Sequence, residues 1–465
     1  MVIPVLNNVV NLAPARGAVE ATVYALSRQL DDGTLPLRAH QLYYDGGQPL
    51  AFLSPADAES LKGRLLRLPV NYCRHAVDLL ADRLIVEGFA TGSGTPRDLD
   101  LWRAWRRAGM VEGSDQAHRS ALVFGRCPVS VWSDPAGGSR VRVEDPRQTI
   151  VGYDPASGMR TAALKRWQAG GFGWAVLYGP DVVRRLQTAG EVPAGAELPA
   201  EGWIVVETLN NPLGRVPVVD VVNRPRVGNP AGTSELADIE PAVDALTKVM
   251  TDAMVSAEYG ARPRRFTLGV EISEDAAGNP VNPFVDGPGR VWQLEGDRTT
   301  ATVGQLDPMG LGPYVDLAAL LTHQIAALAS LPPHLAGIRQ DQPSSAEALR
   351  ASEAGLAGRA RTRQRAFGGP WCEVVRLAAE ATDGKPRPDL DDLEVLWTDP
   401  ETSSPAQAAD AASKLVQSGI LSVDGALDAL GYSPEQREAE RVARRTAALD
   451  GQGLDLTALL SGPAA

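Results

Sequence analysis

Five histidines, at positions 40, 75, 118, 323 and 334, are the residues best suited to general acid–base or metal chemistry. Either role needs a second ligand or a carboxylate at a defined spacing, and these five are scattered with none at ligand spacing. Cys73, Cys127 and Cys372 lie far apart with no CxxC pattern, so neither a zinc site nor a disulfide framework is expected. Their odd number fits reduced, buried thiols made in a cytoplasm. The adjacent acids Asp391 and Asp392 read as a solvated face. No GxxxxGK[ST] loop, no GxGxxG after a strand, no HExxH and no GxSxG occurs. An enzyme is therefore not expected, and no cofactor or metal is. A hydrolase or nuclease would need a metal or nucleophile cluster that this sequence does not display.

Two charged patterns remain. Arg359, Arg361, Arg363 and Arg365 alternate along a helical segment. That spacing puts Arg359 and Arg363 on one side, with Arg361 and Arg365 about 200° around from them. Contacts to a neighbouring subunit or to nucleic acid, and solvent-facing pairs with Glu353 and other acids, are evenly weighted readings. In 234–259, six acids (Glu235, Asp238, Glu240, Asp244, Asp252, Glu258) stand against one base, Lys248. Over the whole chain the formal net charge is −12. A protein that grips phosphates needs clustered cations to displace counterions. This balance excludes such a grip, but not a wall along which a duplex slides.

The elements that must carry these residues read as follows. The 465 residues are enough for two or three packed units. No secretory signal opens the chain. The longest apolar run, Leu311 to Leu331, is broken by Asp316, His323 and Gln324, and so reads as a soluble helix rather than a bilayer span. Helical spacing covers 55–88, divided near Pro69, and 98–124, whose Trp102 and Trp105 are expected in the core. From Pro128 to Asn223 the period becomes two, with five turn signals, which predicts an antiparallel meander and not a nucleotide-binding parallel sheet. A helix from Ser234 to about Tyr259 follows, then short strands to 307, then an Ala- and Leu-rich helix from about Gly312 to Ser330. Two long helices joined by a small β unit make a stalk with a knob. Ser344 or Ser345 caps a third long helix reaching about Thr382, which Gly368-Gly369-Pro370 is expected to bend or interrupt. Val395 to Thr398 is a lone strand needing a distant partner, and helices over 404–418, 422–430 and 434–448 finish the chain.

Separated segments of this order resemble the portal proteins of siphoviruses that infect actinobacteria, in the broad family that includes Bacillus phage portals. They are Tyr43-Tyr44-Asp45-Gly46, Asn71-Tyr72-Cys73, Asp82 to Phe89, Gly125 to Val129, Leu213 to Val219 and Gly232 to Leu236. Leu331-Pro332-Pro333-His334, Pro343 to Leu349, Trp397 to Pro400, Ala409-Asp410-Ala411 and Leu430 to Ser433 continue the series. The resemblance implies an α+β chain with an α/β wing, a two-helix stem, a small β-containing clip, a tunnel loop and a helical crown. Mapped here, 1–234 is the wing, 235–260 the first stem helix, 261–308 the clip and 309–330 the second stem helix. Residues 331–343 are the tunnel loop, 344–402 the long wing helix and returning strand, and 403–465 the crown and tail.

It further implies a ring, usually of about twelve identical subunits, at one vertex of the virion capsid, assembled in the host cytoplasm. Double-stranded DNA passes through without sequence specificity and no membrane is involved. The implied partners are the terminase large subunit, a head-completion or adaptor protein, the major capsid protein and a scaffold. Candidate channel-lining residues are Glu235, Asp238, Asp244 and Asp252; the tunnel loop carries His334, Arg339, Gln340, Asp341 and Gln342. With Arg339 its lone cation, a tight DNA clamp is not expected there. Arg359, Arg361, Arg363 and Arg365 are subunit-interface candidates. A monomeric or dimeric adaptor binding through the β knob is the non-ring alternative. It leaves the nearly uncharged helix without a packing partner.

Overall fold

In a computed structural model, residues 16–49, 70–92, 97–134, 137–260, 265–269, 277, 302–305, 310–338, 345–401, 405–432 and 434–451 are described. The chain divides into two units, Met1–Pro400 and Glu401–Ala465.

The first unit opens with α1 (Arg16–Asp45), α2 (Tyr72–Ala81), β1 (Val86–Thr91), α3 (Leu99–Arg107) and α4 (Met110–Phe124). The strands β2 (Arg126–Ser133), β3 (Ser139–Val143), β4 (Thr149–Tyr153), β5 (Arg160–Ala169), β6 (Phe172–Tyr178), β7 (Val182–Glu191), β8 (Trp203–Asn210) and β9 (Val218–Val222) follow. Then come α5 (Glu240–Gly260), β10 (Arg265–Leu268), β11 (Thr302–Gln305), α6 (Gly312–Ala329), α7 (Ala346–Asp383) and β12 (Leu393–Trp397). The result is an α+β fold in which, among the described residues, every strand pairing is antiparallel.

The meander is real: β4 to β8 pair in sequence order as a five-stranded sheet. Strands β2 and β3 pair on either side of the turn signal that starts at Asp134, and the turn at 154–158 lies where its residues place it. Sequence reading missed β7, whose run of Arg184, Arg185 and Gln187 hides its alternation. The segments 204–209 and 216–222 are not one hairpin, because β8 pairs with β7 while β9 joins β2 in a separate sheet of order β3-β2-β9. Helix α1 also went unread. Gly33 and Pro36 break its pattern, yet Val23, Leu26 and Leu30 bury against Ile150, Leu164, Leu177 and Leu186 of the large sheet. Burial of an apolar stripe outweighs poor local propensity.

Helical spacing over 82–88 gave way to β1, which pairs with β12; the lone strand near 395 thus finds its distant partner. The run 98–124 is two helices, parted at Gly109 in the left-handed region (φ 70°). Residues 234–239 precede the helix that was expected to start at Ser234; α5 begins at Glu240. Its 21 residues span about 32 Å, not the roughly 40 Å of the longer reading. Gly368-Gly369-Pro370 does not interrupt α7, because Phe367, Trp371 and Val374 are all fully buried and hold both halves to the core. Ser345 caps α7, its hydroxyl accepting from Ala348 N at 3.2 Å. Of the short strands expected over 261–307, β10 and β11 pair with each other, and 290–294 lies outside the described residues.

The main core gathers Phe89, Trp105, Phe367 and Trp371 around His118, as expected for Trp105. Cys73 and Cys127 are buried in it, and burial pushes both thiols up to about 12. The second unit holds α8 (Pro405–Gln417), α9 (Val423–Ala429) and α10 (Pro434–Gly451), much as the spacing predicts. Gly419 and Gly431 end the first two with φ of 72° and 81°. Arg437–Asp428 at 3.1 Å and Arg441–Asp424 at 3.2 Å tie α10 to α9.

Candidate functional site

The two patterns singled out in the sequence meet at one place, the root of the α5–α6 pair. Helices α5 and α6 run against each other, with the Ser256 hydroxyl donating to the Tyr314 hydroxyl at 3.1 Å near their far end. At the near end, Glu235 is 5% exposed. Its Oε1 accepts from Arg363 Nε at 3.0 Å and from Asn223 Nδ2 at 2.9 Å, and its Oε2 accepts from Arg359. Arg359 also donates to the Leu328 carbonyl, at 3.3 Å, in the last turn of α6. One acid and two arginines of α7 therefore fasten both helices of the pair. Burial alone would raise the Glu235 carboxyl, but Arg359 and Arg363 outweigh it and hold it below the usual carboxylate range.

The backbone supports this node. Glu235 N donates to Leu122 O at 2.8 Å, and the Ser234 hydroxyl donates to Val123 O at 2.5 Å. Gly232 (φ 86°) lies so close to its surroundings that a Cβ there would meet Gly125 O at 2.2 Å and Asn223 O at 2.6 Å. Only glycine fits.

These contacts correct two expectations. Glu235 faces the protomer's interior and does not line a channel. Arg359 and Arg363 both bind within the chain, Arg363 buried and Arg359 with its side chain 21% exposed. Glu353, offered as an arginine-run partner, accepts from Arg83 at 2.9 Å and lies 3.3 Å from His334. Arg361 and Arg365 stay on the exposed side: Arg361 reaches Asp399 at 3.4 Å, and both border an open groove between α7 and β12.

The other acids are positioned variously. Asp238 pairs with Arg224 at 2.6 Å and is about half exposed. Asp252 pairs with Lys248 one turn away on α5. Asp244 accepts from the Tyr43 hydroxyl at 2.7 Å, and burial raises its pKa. Glu240 lies 2.5 Å from His40 Nδ1. Each is tied to a partner, so the acidic face is less free than its sequence implies.

The segment after α6 is strapped down in its first half. Leu331 and Ala336 are buried, the Tyr72 hydroxyl donates to Ala336 O at 3.1 Å, and His75 Nε2 meets Leu335 O at 2.7 Å. Arg339, Gln340, Asp341 and Gln342 lie outside the described residues. Asn223, Tyr72, His75 and Arg83 carry no signal of these roles in the sequence, because each acts across a long loop closure. Among the described residues no group of three or more His, Cys, Asp or Glu could hold a metal ion, and no helix is long and apolar enough to cross a membrane.

A family model described as "Phage portal protein, SPP1 Gp6-like" matches residues 43–449. The chain belongs to this phage portal protein family. It is similar to the portal protein of Mycobacterium phage D29, with 29% identity covering 95% of this chain and 93% of that one. The portal protein of Mycobacterium phage L5 is 27% identical over the same shares. Among solved structures, a chain from the neck of an empty gene transfer agent particle computed with C6 symmetry is 17% identical, with a TM-score of 0.47. That match covers 85% of this chain and 99% of the other. A chain from the neck of the native particle computed with C12 symmetry is 16% identical, with a TM-score of 0.44, and covers 86% and 99%. Portal proteins are structural components of the phage particle, so this portal chain is not an enzyme.

Proposed function

We propose that this portal chain forms a ring at one capsid vertex and conducts double-stranded DNA during packaging and ejection. The observation that carries the reading is α6. Its single charged residue is Asp316, while Val315, Leu317, Leu320 and Leu328 are all exposed. An isolated helix pair showing that surface would aggregate, whereas a neighbouring copy packed against it removes the surface from water. In this reading α5 and α6 are the stem, the β10–β11 pair belongs to the clip, 331–343 is the tunnel loop and the second unit is the crown. The root formed by Glu235, Arg359 and Arg363 then holds the stem at a fixed angle to α7, a long wing helix. Asp238 and Asp252 are the remaining candidates for a channel wall that repels phosphates. The terminase and later the head-completion protein would dock at the clip, while capsid protein and scaffold would meet the ring during assembly in the host cytoplasm.

Light scattering with negative-stain imaging of the purified full chain tests the proposal. Rings of about twelve copies with a central hole are expected. A compact dimer with a closed cleft would overturn it.

A further inference from the structure

The outer strand of the five-stranded sheet is exposed on both faces. Of β8, Trp203 alone is buried, while Ile204, Val205, Val206 and Leu209 are 55%, 43%, 55% and 43% exposed. Helix α1 shares an apolar cluster with Leu186 and Trp203, and no residue of β8 beyond Trp203 belongs to it. Among the described residues, strand β8 pairs with β7 on one side and with no strand on the other. Exposed edges are usually blunted by lysine, proline or a bulge. Here Val206 is an extra residue opposite the Arg185–Leu186 step, a bulge, but no lysine or proline interrupts the aliphatic run. Such an edge left bare is a template for another strand.

Charge narrows the occupant. The one charge on β8 is Glu207, opposite Arg185 of β7, with Arg184 opposite Thr208; Glu191, Glu197 and Glu201 precede the strand, and no Lys or Arg lies between Arg185 and Arg215. The covering segment should then be a strand with apolar residues alternating with cations. This chain carries one. β3, Ser-Arg-Val-Arg-Val over Ser139–Val143, is the edge of the small sheet, is paired with β2 alone, and shows Arg140 and Arg142 to solvent. Arg140 pairs with half-buried Asp134 at 3.1 Å, and Arg142 lies 3.8 Å from Glu144.

We propose that the open edge of β8 is a subunit–subunit interface, in which β8 of one copy lies along β3 of the next. The two edges are different surfaces of one chain, so the contact is head-to-tail and propagates around a ring instead of closing a dimer. This rests on the ring reading and adds a second contact to it, separate from the α6 face.

The test uses the full chain with Cys372→Ser, leaving the two buried cysteines in place. Glu207→Cys and Arg140→Cys are introduced singly and together, and treated with a short bismaleimide after assembly is confirmed by light scattering. The double variant is expected to give a ladder of covalent multimers, and neither single variant should. Rings that form without a ladder overturn this interface and leave the ring reading standing. A cross-linked dimer from Glu207→Cys alone places β8 against β8 and also overturns it. A chain that never assembles overturns the ring reading and this contact with it. As an independent readout, Ile204→Glu with Val206→Glu should raise the protein concentration needed for assembly about tenfold or more, with the monomer's thermal midpoint unchanged. Unchanged assembly of that variant counts against the interface.

Discussion

Glu235 shows how a residue's type can be read correctly and its role misplaced. As one of six acids on a helical segment it looked like part of a charged wall, but it is the buried counter-ion of Arg359 and Arg363. Removing one partner from a buried pair leaves the others uncompensated. Glu235→Ala should therefore cost about 3–5 kcal/mol of unfolding free energy, measurable by urea denaturation. His118 adds a pH dependence of its own. Trp371 Nε1 donates to His118 Nε2 at 2.8 Å, and complete burial pushes the imidazole down to about 3. The folded state keeps the ring neutral while the unfolded chain protonates it near 6.5. Stability from this group is thus full above 6.5 and falls as pH drops toward 3, at about 1 kcal/mol per pH unit. Glu235, whose folded pKa is lowered, loses its contribution as pH falls from the ordinary carboxylate value toward that lowered one, within the acid half of the same range. His118→Gln, which keeps an acceptor for Trp371, should flatten the thermal midpoint between pH 6.5 and 4.5. An unchanged slope there would refute the assignment.

Among the elements, the entry to α5 is set by backbone fit more than by helix propensity. Ser234 and its following acids form a good capping pattern, yet the hydroxyl goes to Val123 O and the helix waits until Glu240. Gly232 makes that path possible. Gly232→Ala puts a Cβ at φ 86° into the Gly125 carbonyl, and should cost about 2–3 kcal/mol or more. Thermal unfolding checks it, and the same substitution at Gly137, which has open space, is the control. Strand alternation, hairpin turns and the three helices of the second unit were legible because each depends on neighbours in sequence. Helix α1 and strand β7 were not. One needs a sheet beneath it, and the other hides its period behind paired arginines.

For the assembled ring, the prediction concerns conduction. Charge reversal at Asp238 and Asp252 together should slow or stall DNA packaging while leaving ring assembly intact. Packaged DNA per particle, set against ring yield by negative stain, measures both. Normal packaging in that variant would remove the account of a repelling wall. Arg361 and Arg365 lie on the exposed side of α7, where Arg361 reaches Asp399.

The sequence by itself determined the family, the antiparallel meander, the two long helices about a β unit and the absence of recognised catalytic motifs. Each of these is written in local periodicity, turn chemistry or the order of short segments. The tertiary structure alone decided which charges are buried partners and which remain exposed. An acid at 235 and arginines at 359 and 363 are far apart along the chain, and only packing brings them within hydrogen-bonding reach. The same holds for β8: its aliphatic run reads as an ordinary strand, and only the packed fold shows that most of its side chains are exposed.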